Sequence, residues 1–200
     1  MADPLRRIFI RLSELDEFCG RDAATLQRLT EVFECASTLL GHYEDESLDQ
    51  AFWDLSSTVL VSVRDESIEW AVRERFIRSF EPLFREFFAV RCRPVLGHLS
   101  EEGSPLNSAC YMWFDFDCWR FTIDPLDGNP VDSAFLASMR AILAIDHVAC
   151  EESALHGLGH WHHDHPVEVE SIIDEFLACG PRLREDLREY ACSARAGCVL

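Results

Sequence analysis

Between Leu26 and Leu40 the apolar side chains recur three and four residues apart: Leu26, Leu29, Val32, Phe33, Ala36, Leu39 and Leu40. An α-helix of 3.6 residues per turn brings them to one side, whereas a strand would divide them between two faces. The stripe closes at Gly41. The same spacing returns in Leu5, Ile8, Phe9, Leu12 and Leu15, in Leu48, Phe52 and Leu55, and in Phe135, Leu136, Met139, Ile142 and Leu143. Only the segment TVLVSV, at the end of the third helical stretch, has a β-branched composition that also suits a strand. The pattern predicts an all-α chain of about eight or nine helices joined by short turns.

Punctuation divides the helices. Asp22 can cap the second, and Ser47 with Gln50 three residues on has capping-box spacing for the third. Pro82 interrupts the run from Ser67 to Arg91 and predicts a kink near Glu81, because proline removes a donor and clashes with the preceding turn. Ser104 and Pro105 open a helix through Phe114. Asp132 or Ser133 can cap the next, helices follow at 148–161 and 167–178, and Pro181 starts the last. Consecutive helices at this spacing form antiparallel hairpins. The expected organisation is one domain, 1–200. Residues 94–104, rich in Pro, Gly and Ser, mark the linker at which it would divide into 1–93 and 105–200. The aromatic segment YMWFDFDCWRF is expected to bury rings where the two halves meet.

Charge narrows the partners. Asp plus Glu number 36 against 18 cations, all of them arginine, for a net charge of −18. Such a field repels phosphate backbones and disfavours nucleic acid, while it favours a protein with a basic surface. The one basic island is 71–93, read as a solvated helix face. The N-terminal LRRIFIRL interleaves arginines with apolar residues, unlike a signal or a spanning segment. Cys198 lies third from the end of the sequence, where a prenylation box would need it fourth, so no membrane anchor is expected. The nine cysteines contain no Cys-x-x-Cys pair, which suits a reduced, cytoplasmic protein.

Six of the eight histidines fall within Asp146–Cys179. On a wheel of 100° per residue, Glu152, His156, His160 and His163 share an arc about 80° wide, opposite Cys150, Ala154, Leu158 and Trp161. Two readings follow. Histidines at i and i+4 can grip one ion, and a third ligand completes a zinc or other divalent transition-metal site with an open position. Alternatively, the stripe is the polar face of an amphipathic helix, solvated or turned to a partner.

The run ALHGLGH, 154–160, resembles the helical motif of HD-domain metallophosphohydrolases, in which a His-Asp pair binds the metal. His156 matches that histidine, and Gly157 stands where the family has its aspartate. Residues 132–192 also resemble HEAT-like and armadillo-like repeats: an apolar helix, a turn with Asp164 and Pro166, then a helix with Val167, Val169, Ile172, Ile173, Phe176 and Leu177. That resemblance implies helical hairpins stacked as an irregular superhelix whose surface binds another protein. It also gives Gly157 and Gly159 a purpose, because glycine lets a neighbouring helix approach closely.

Other motifs add little. Asp115 and Asp117 form a D-x-D without the Gly-rich phosphate loop or α/β alternation of nucleotide-sugar transferases. His147 and Cys150 make a nucleophile–base dyad conceivable, with no identifiable orienting group. No Walker loop, Rossmann fingerprint, Gly-x-Ser-x-Gly or His-Glu-x-x-His is present. The leading expectation is a non-enzymatic acidic adaptor, inhibitor or immunity-like protein with no catalytic residues and no cofactor. The alternative is a metal-dependent hydrolase or metal-binding protein using Glu152, His156, His160 and His163.

Overall fold

The sequence periodicity becomes helix wherever the chain can be followed. The computed structural model describes residues 23–58, 63–115, 129–178 and 183–199. The expectations for residues 5–18, Asp22, Asp117 and Pro181 lie outside these. Among the described residues all regular structure is helical. Helix α1 is Ala23–Glu34, α2 is Ala36–Leu39, and α3 is Asp45–Thr58. Next come α4 (Trp70–Arg78), α5 (Phe80–Leu83), a π-helical turn (Phe84–Phe88) and α6 (Ala89–Arg91). A 3₁₀ turn (Gly97–Leu99) precedes α7 (Leu106–Tyr111), α8 (Pro130–Leu143), α9 (Val148–Trp161), α10 (Pro166–Ala178) and α11 (Glu185–Arg195). No helix among the described residues is long and apolar enough to cross a membrane.

Several boundaries move, each for a local reason. Helix α3 begins at Asp45, so Ser47 lies inside it and does not cap it. Asp45 and Glu46 instead place negative charge on the first turn, where the helix dipole favours it. The interruption expected from Pro82 falls at Ser79, close to Arg78, whose carbonyl the proline ring crowds. The Ser79 hydroxyl donates to the Phe76 carbonyl at 2.6 Å. Helix α7 ends at Tyr111, and Met112–Asp115 form a turn. Helix α8 starts with Pro130 at its first position and is capped by Asn129, whose Oδ1 accepts from the Val131 amide at 2.9 Å. Asp132, expected as a cap, is buried against Arg64 at 2.9 Å and His165 at 3.3 Å.

The stretch rich in Pro, Gly and Ser is pinned rather than loose. Asn107 accepts from the Arg93 and Ser104 amides and donates to the Arg93 carbonyl. One hydrophobic cluster joins residues from both sides of this stretch. Trp113 sits at its centre, with Phe33, Phe52, Phe80, Phe84 and Phe88 around it at ring separations of 5.5–6.1 Å. Edge-to-face geometry, which all five pairs show, adds specific attraction to the burial. The cluster fixes the turn that follows Trp113, which carries Asp115.

Helix α9 is the element that the second half surrounds: α7, α8, α10 and α11 all pack on it. Ala149, Cys150 and every residue from Glu152 to Gly159 are buried. The close approach assigned to the glycines holds. A β-carbon on Gly157 would lie 2.5 Å from Cβ of Phe114 and 2.8 Å from Sδ of Met139. One on Gly159 would meet Val199 at 2.5 Å and the α11 backbone at Ala194 at 3.2 Å.

Candidate metal centre

The packing of α11 and the Met112–Asp115 turn on α9 overturns the solvated-stripe reading. Glu152 is 1% exposed and His156 0%. A buried carboxylate or imidazole has to be hydrogen-bonded to be tolerated. Each of these has found partners, and the partners differ.

Glu152 turns toward the 3₁₀ turn. Its Oε2 accepts from the Gly97 amide at 2.7 Å, and Oε1 accepts from the His98 amide at 3.0 Å while also meeting His98 Nδ1. The carboxylate thereby holds the 97–99 turn against α9. It is not grouped with His156 and His160, which share its arc.

His156 and His160 do converge, and Asp115 joins them. The two Nε2 atoms lie 3.2 Å apart. Asp115 Oδ1 is 3.0 Å from His160 Nε2, and Oδ2 is 4.0 Å from His156 Nε2. One ligand atom from each of the three residues lies within 4.8 Å of the others. Two ligands about 2.0 Å from a tetrahedral ion are separated by about 3.3 Å, so these spacings fit a single zinc-sized ion. The group is graded in exposure: the His156 side chain is 1% exposed, His160 19% and Asp115 28%. Solvent therefore reaches the group from the Asp115 side.

His156 is held from behind. Its Nδ1 lies 2.7 Å from the Tyr190 hydroxyl of α11, which in turn lies 3.2 Å from the Tyr111 hydroxyl of α7. Tyr190 is stacked on His98 with ring centroids 4.1 Å apart, so the turn clamped by Glu152 also supports the tyrosine. Burial, then the neighbouring His160 and His98, pushes the His156 pKa down to about 3. Burial also raises the hydroxyl pKa values of Tyr190 and Tyr111. The result is a neutral imidazole in a fixed orientation, the form that ligates metals.

The remaining histidines disperse. His163 lies in the turn beyond the end of α9, exposed and outside the group. His162 faces Glu170 at 3.5 Å, and His165 stacks on Trp161 and meets Asp132. Asp115 was visible in the sequence only as half of a D-x-D. Its role depends on the packing of residues some forty positions apart, for which local spacing carries no signal.

Comparison with known proteins gives no match: no family model, no curated protein and no solved structure is similar to this chain.

Proposed function

We propose that this protein binds a divalent transition metal, of which zinc fits best, through Asp115, His156 and His160, and that the site serves hydrolytic chemistry. The observation carrying this reading is the meeting of two Nε2 atoms and one carboxylate at ligand spacing, with the third residue open to solvent. Three protein ligands plus a vacant position is the pattern of catalytic rather than structural zinc. A metal held this way supplies a bound water acidic enough to act as hydroxide near neutral pH. The chain's own part is positional. With the proton on Nδ1, His156 donates to Tyr190 and leaves Nε2 directed at the site, an outer partner of the kind that orients ligating histidines. Asp115 supplies the negative charge that offsets the cation.

Zinc titration by calorimetry, on protein purified without a histidine tag, tests the reading. His160→Ala is expected to weaken binding at this site by about a hundredfold or more. Unchanged affinity and stoichiometry in that variant would remove the site.

A second reading, an acidic helical scaffold for a basic partner protein, is supported by the net charge of −18. The hairpins α8–α9 and α10–α11 would then act as a HEAT-like stack. Association with a cationic partner should slow steeply with salt, and salt-independent association would count against it. The free state of Cys35, Cys92, Cys110, Cys150, Cys192 and Cys198 supports a reducing, cytoplasmic location.

A further inference from the structure

The hydroxyl behind His156 belongs to a longer hydrogen-bonded row, and the ends of that row fix its direction. The row runs from Asp115 through His160, His156 and Tyr190 to Tyr111, with successive polar atoms 3.0, 3.2, 2.7 and 3.2 Å apart. Tyr190 is 7% exposed, and among the described residues its hydroxyl meets only His156 Nδ1 and the Tyr111 hydroxyl. A hydroxyl carries one proton, so Tyr190 donates to one of these and accepts from the other. Asp115 decides which. A carboxylate can only accept, so His160 Nε2, 3.0 Å from it, carries a proton. His156 Nε2 faces that N–H at 3.2 Å, and two N–H groups do not face each other at such a distance, so His156 Nε2 is the bare nitrogen. The proton of the neutral His156 ring then sits on Nδ1 and is donated to Tyr190, whose own proton goes to Tyr111.

We infer that Tyr111 is a positioning residue for the metal centre: by accepting the Tyr190 hydroxyl proton it keeps Tyr190 an acceptor for His156 Nδ1, and so keeps His156 Nε2 bare for an ion. Its use rests on the metal reading, whereas the hydrogen-bond direction belongs to the metal-free chain. Packing places Tyr111 for this role. Its ring lies 4.5 Å from the His156 ring, and Gly97 lets it sit close to the 3₁₀ turn, because a β-carbon there would lie 3.1 Å from Tyr111 Cγ. Without the Tyr111 hydroxyl, Tyr190 keeps His156 as its partner and can donate back to Nδ1. His156 would then carry its proton on Nε2, where it blocks the ion. Metal binding already costs His160 its Nε2 proton, and Tyr111 spares His156 the same cost.

Long-range proton–nitrogen NMR of the metal-free full chain, labelled with nitrogen-15 at histidine, reads the tautomer, because protonated and bare imidazole nitrogens have widely separated shifts. The His156 signals are assigned by their loss in His156→Gln. In the wild type, Nδ1 should be protonated and Nε2 bare. Tyr111→Phe keeps the ring and removes the hydroxyl. It should move His156 toward protonated Nε2 and weaken zinc binding about fivefold in calorimetry, the worth of one hydrogen bond, with the far-ultraviolet circular dichroism unchanged. Protonated Nε2 in the metal-free wild type overturns the inference. Weaker zinc binding in Tyr111→Phe with wild-type nitrogen shifts gives Tyr111 a packing role only and also overturns it. Should Tyr111→Phe fail to fold, the wild-type shifts alone decide the direction of the row. Wild-type protein that shows the expected shifts but binds no zinc removes the metal reading and leaves the hydrogen-bond direction standing.

Discussion

The two ends of α9 hold side chains of opposite character. At its start, the Cys150 and Cys110 thiols are fully buried and turned to the Phe84 and Ala149 carbonyls, with His147 half-buried just before the helix. Two turns later, His156 and His160 meet Asp115 along a gradient that opens to water. About 9 Å of helix separates Cys150 from His156. What differs is the covering. The first end is covered by α7 and by the π-helical turn, whose Phe84 carbonyl reaches Cys150. The second is backed by a tyrosine from α11 and left open on the side of the Met112–Asp115 turn. Covered thiols pack as small apolar groups that tie segments together, whereas an open carboxylate and two imidazoles suit an ion that also holds water. One helix thus positions both groups, and the neighbours determine what each can do.

The largest perturbation removes the frame beneath both. Trp113 is 2% exposed and lies between Cys110 and Asp115 in sequence. Trp113→Ala should cost about 3–5 kcal/mol of unfolding free energy, measured by denaturant titration. It should also weaken metal binding at Asp115, His156 and His160, read by calorimetry. Unchanged affinity would show that the aromatic cluster does not hold the turn that carries Asp115.

Gly157→Ala should divide them. The added β-carbon would sit 2.5 Å from Phe114, the neighbour of Asp115, and 2.8 Å from Met139. Overpacking of this kind costs about 1–3 kcal/mol. It should lower metal affinity at the Asp115–His156–His160 end, read by calorimetry, while the Cys150 thiol at the other end stays closed to thiol reagents. Tyr190→Phe is gentler. Losing the hydroxyl behind His156 should reduce affinity at the same end by about 10–100-fold, as outer-partner losses do. The far-ultraviolet circular dichroism should not change. A loss of less than about threefold would mean that Tyr190 does not orient the ring.

The sequence made half of this comparison legible. Helix α9 runs 148–161 as its periodicity implied, and the shared arc of His156 and His160 is the one that brings their Nε2 atoms together. The wheel failed on exposure because it describes one helix in isolation, and α9 has neighbours on every side. It also grouped Glu152 with the histidines, whereas the amides of Gly97 and His98, more than fifty residues away, claim that carboxylate. The His147–Cys150 spacing was visible too, but Cys110, whose thiol lies against the Ala149 carbonyl, had no periodic relation to it. Residues brought together only by helix packing leave no local pattern, and Asp115 is the same case at the other end.

The smallest effect concerns the brace between the two ends. Glu101 follows the 3₁₀ turn whose amides bind Glu152, and its carboxylate accepts from Arg184 just before α11 and from the Leu96 amide at 2.8 Å. Hydrogen bonding from Arg184, then from Leu96, lowers the Glu101 pKa from 4.5 to about 2. A carboxyl group with a lower pKa folded than unfolded stabilises the fold fully above its unfolded value, and this contribution fades as pH falls toward the folded one. The window is therefore about pH 4.5 down to about 2. Because the pair is exposed, its contribution is small and screened by salt. Glu101→Gln should flatten that part of the pH dependence of the unfolding midpoint in low salt, and 1 M salt should erase most of the difference from wild type. The brace lies beside His98, on which Tyr190 stacks. Any effect of Glu101→Gln on metal binding should therefore appear as weaker affinity at Asp115, His156 and His160 in calorimetry, and unchanged affinity would show that the brace does not reach the ring behind His156.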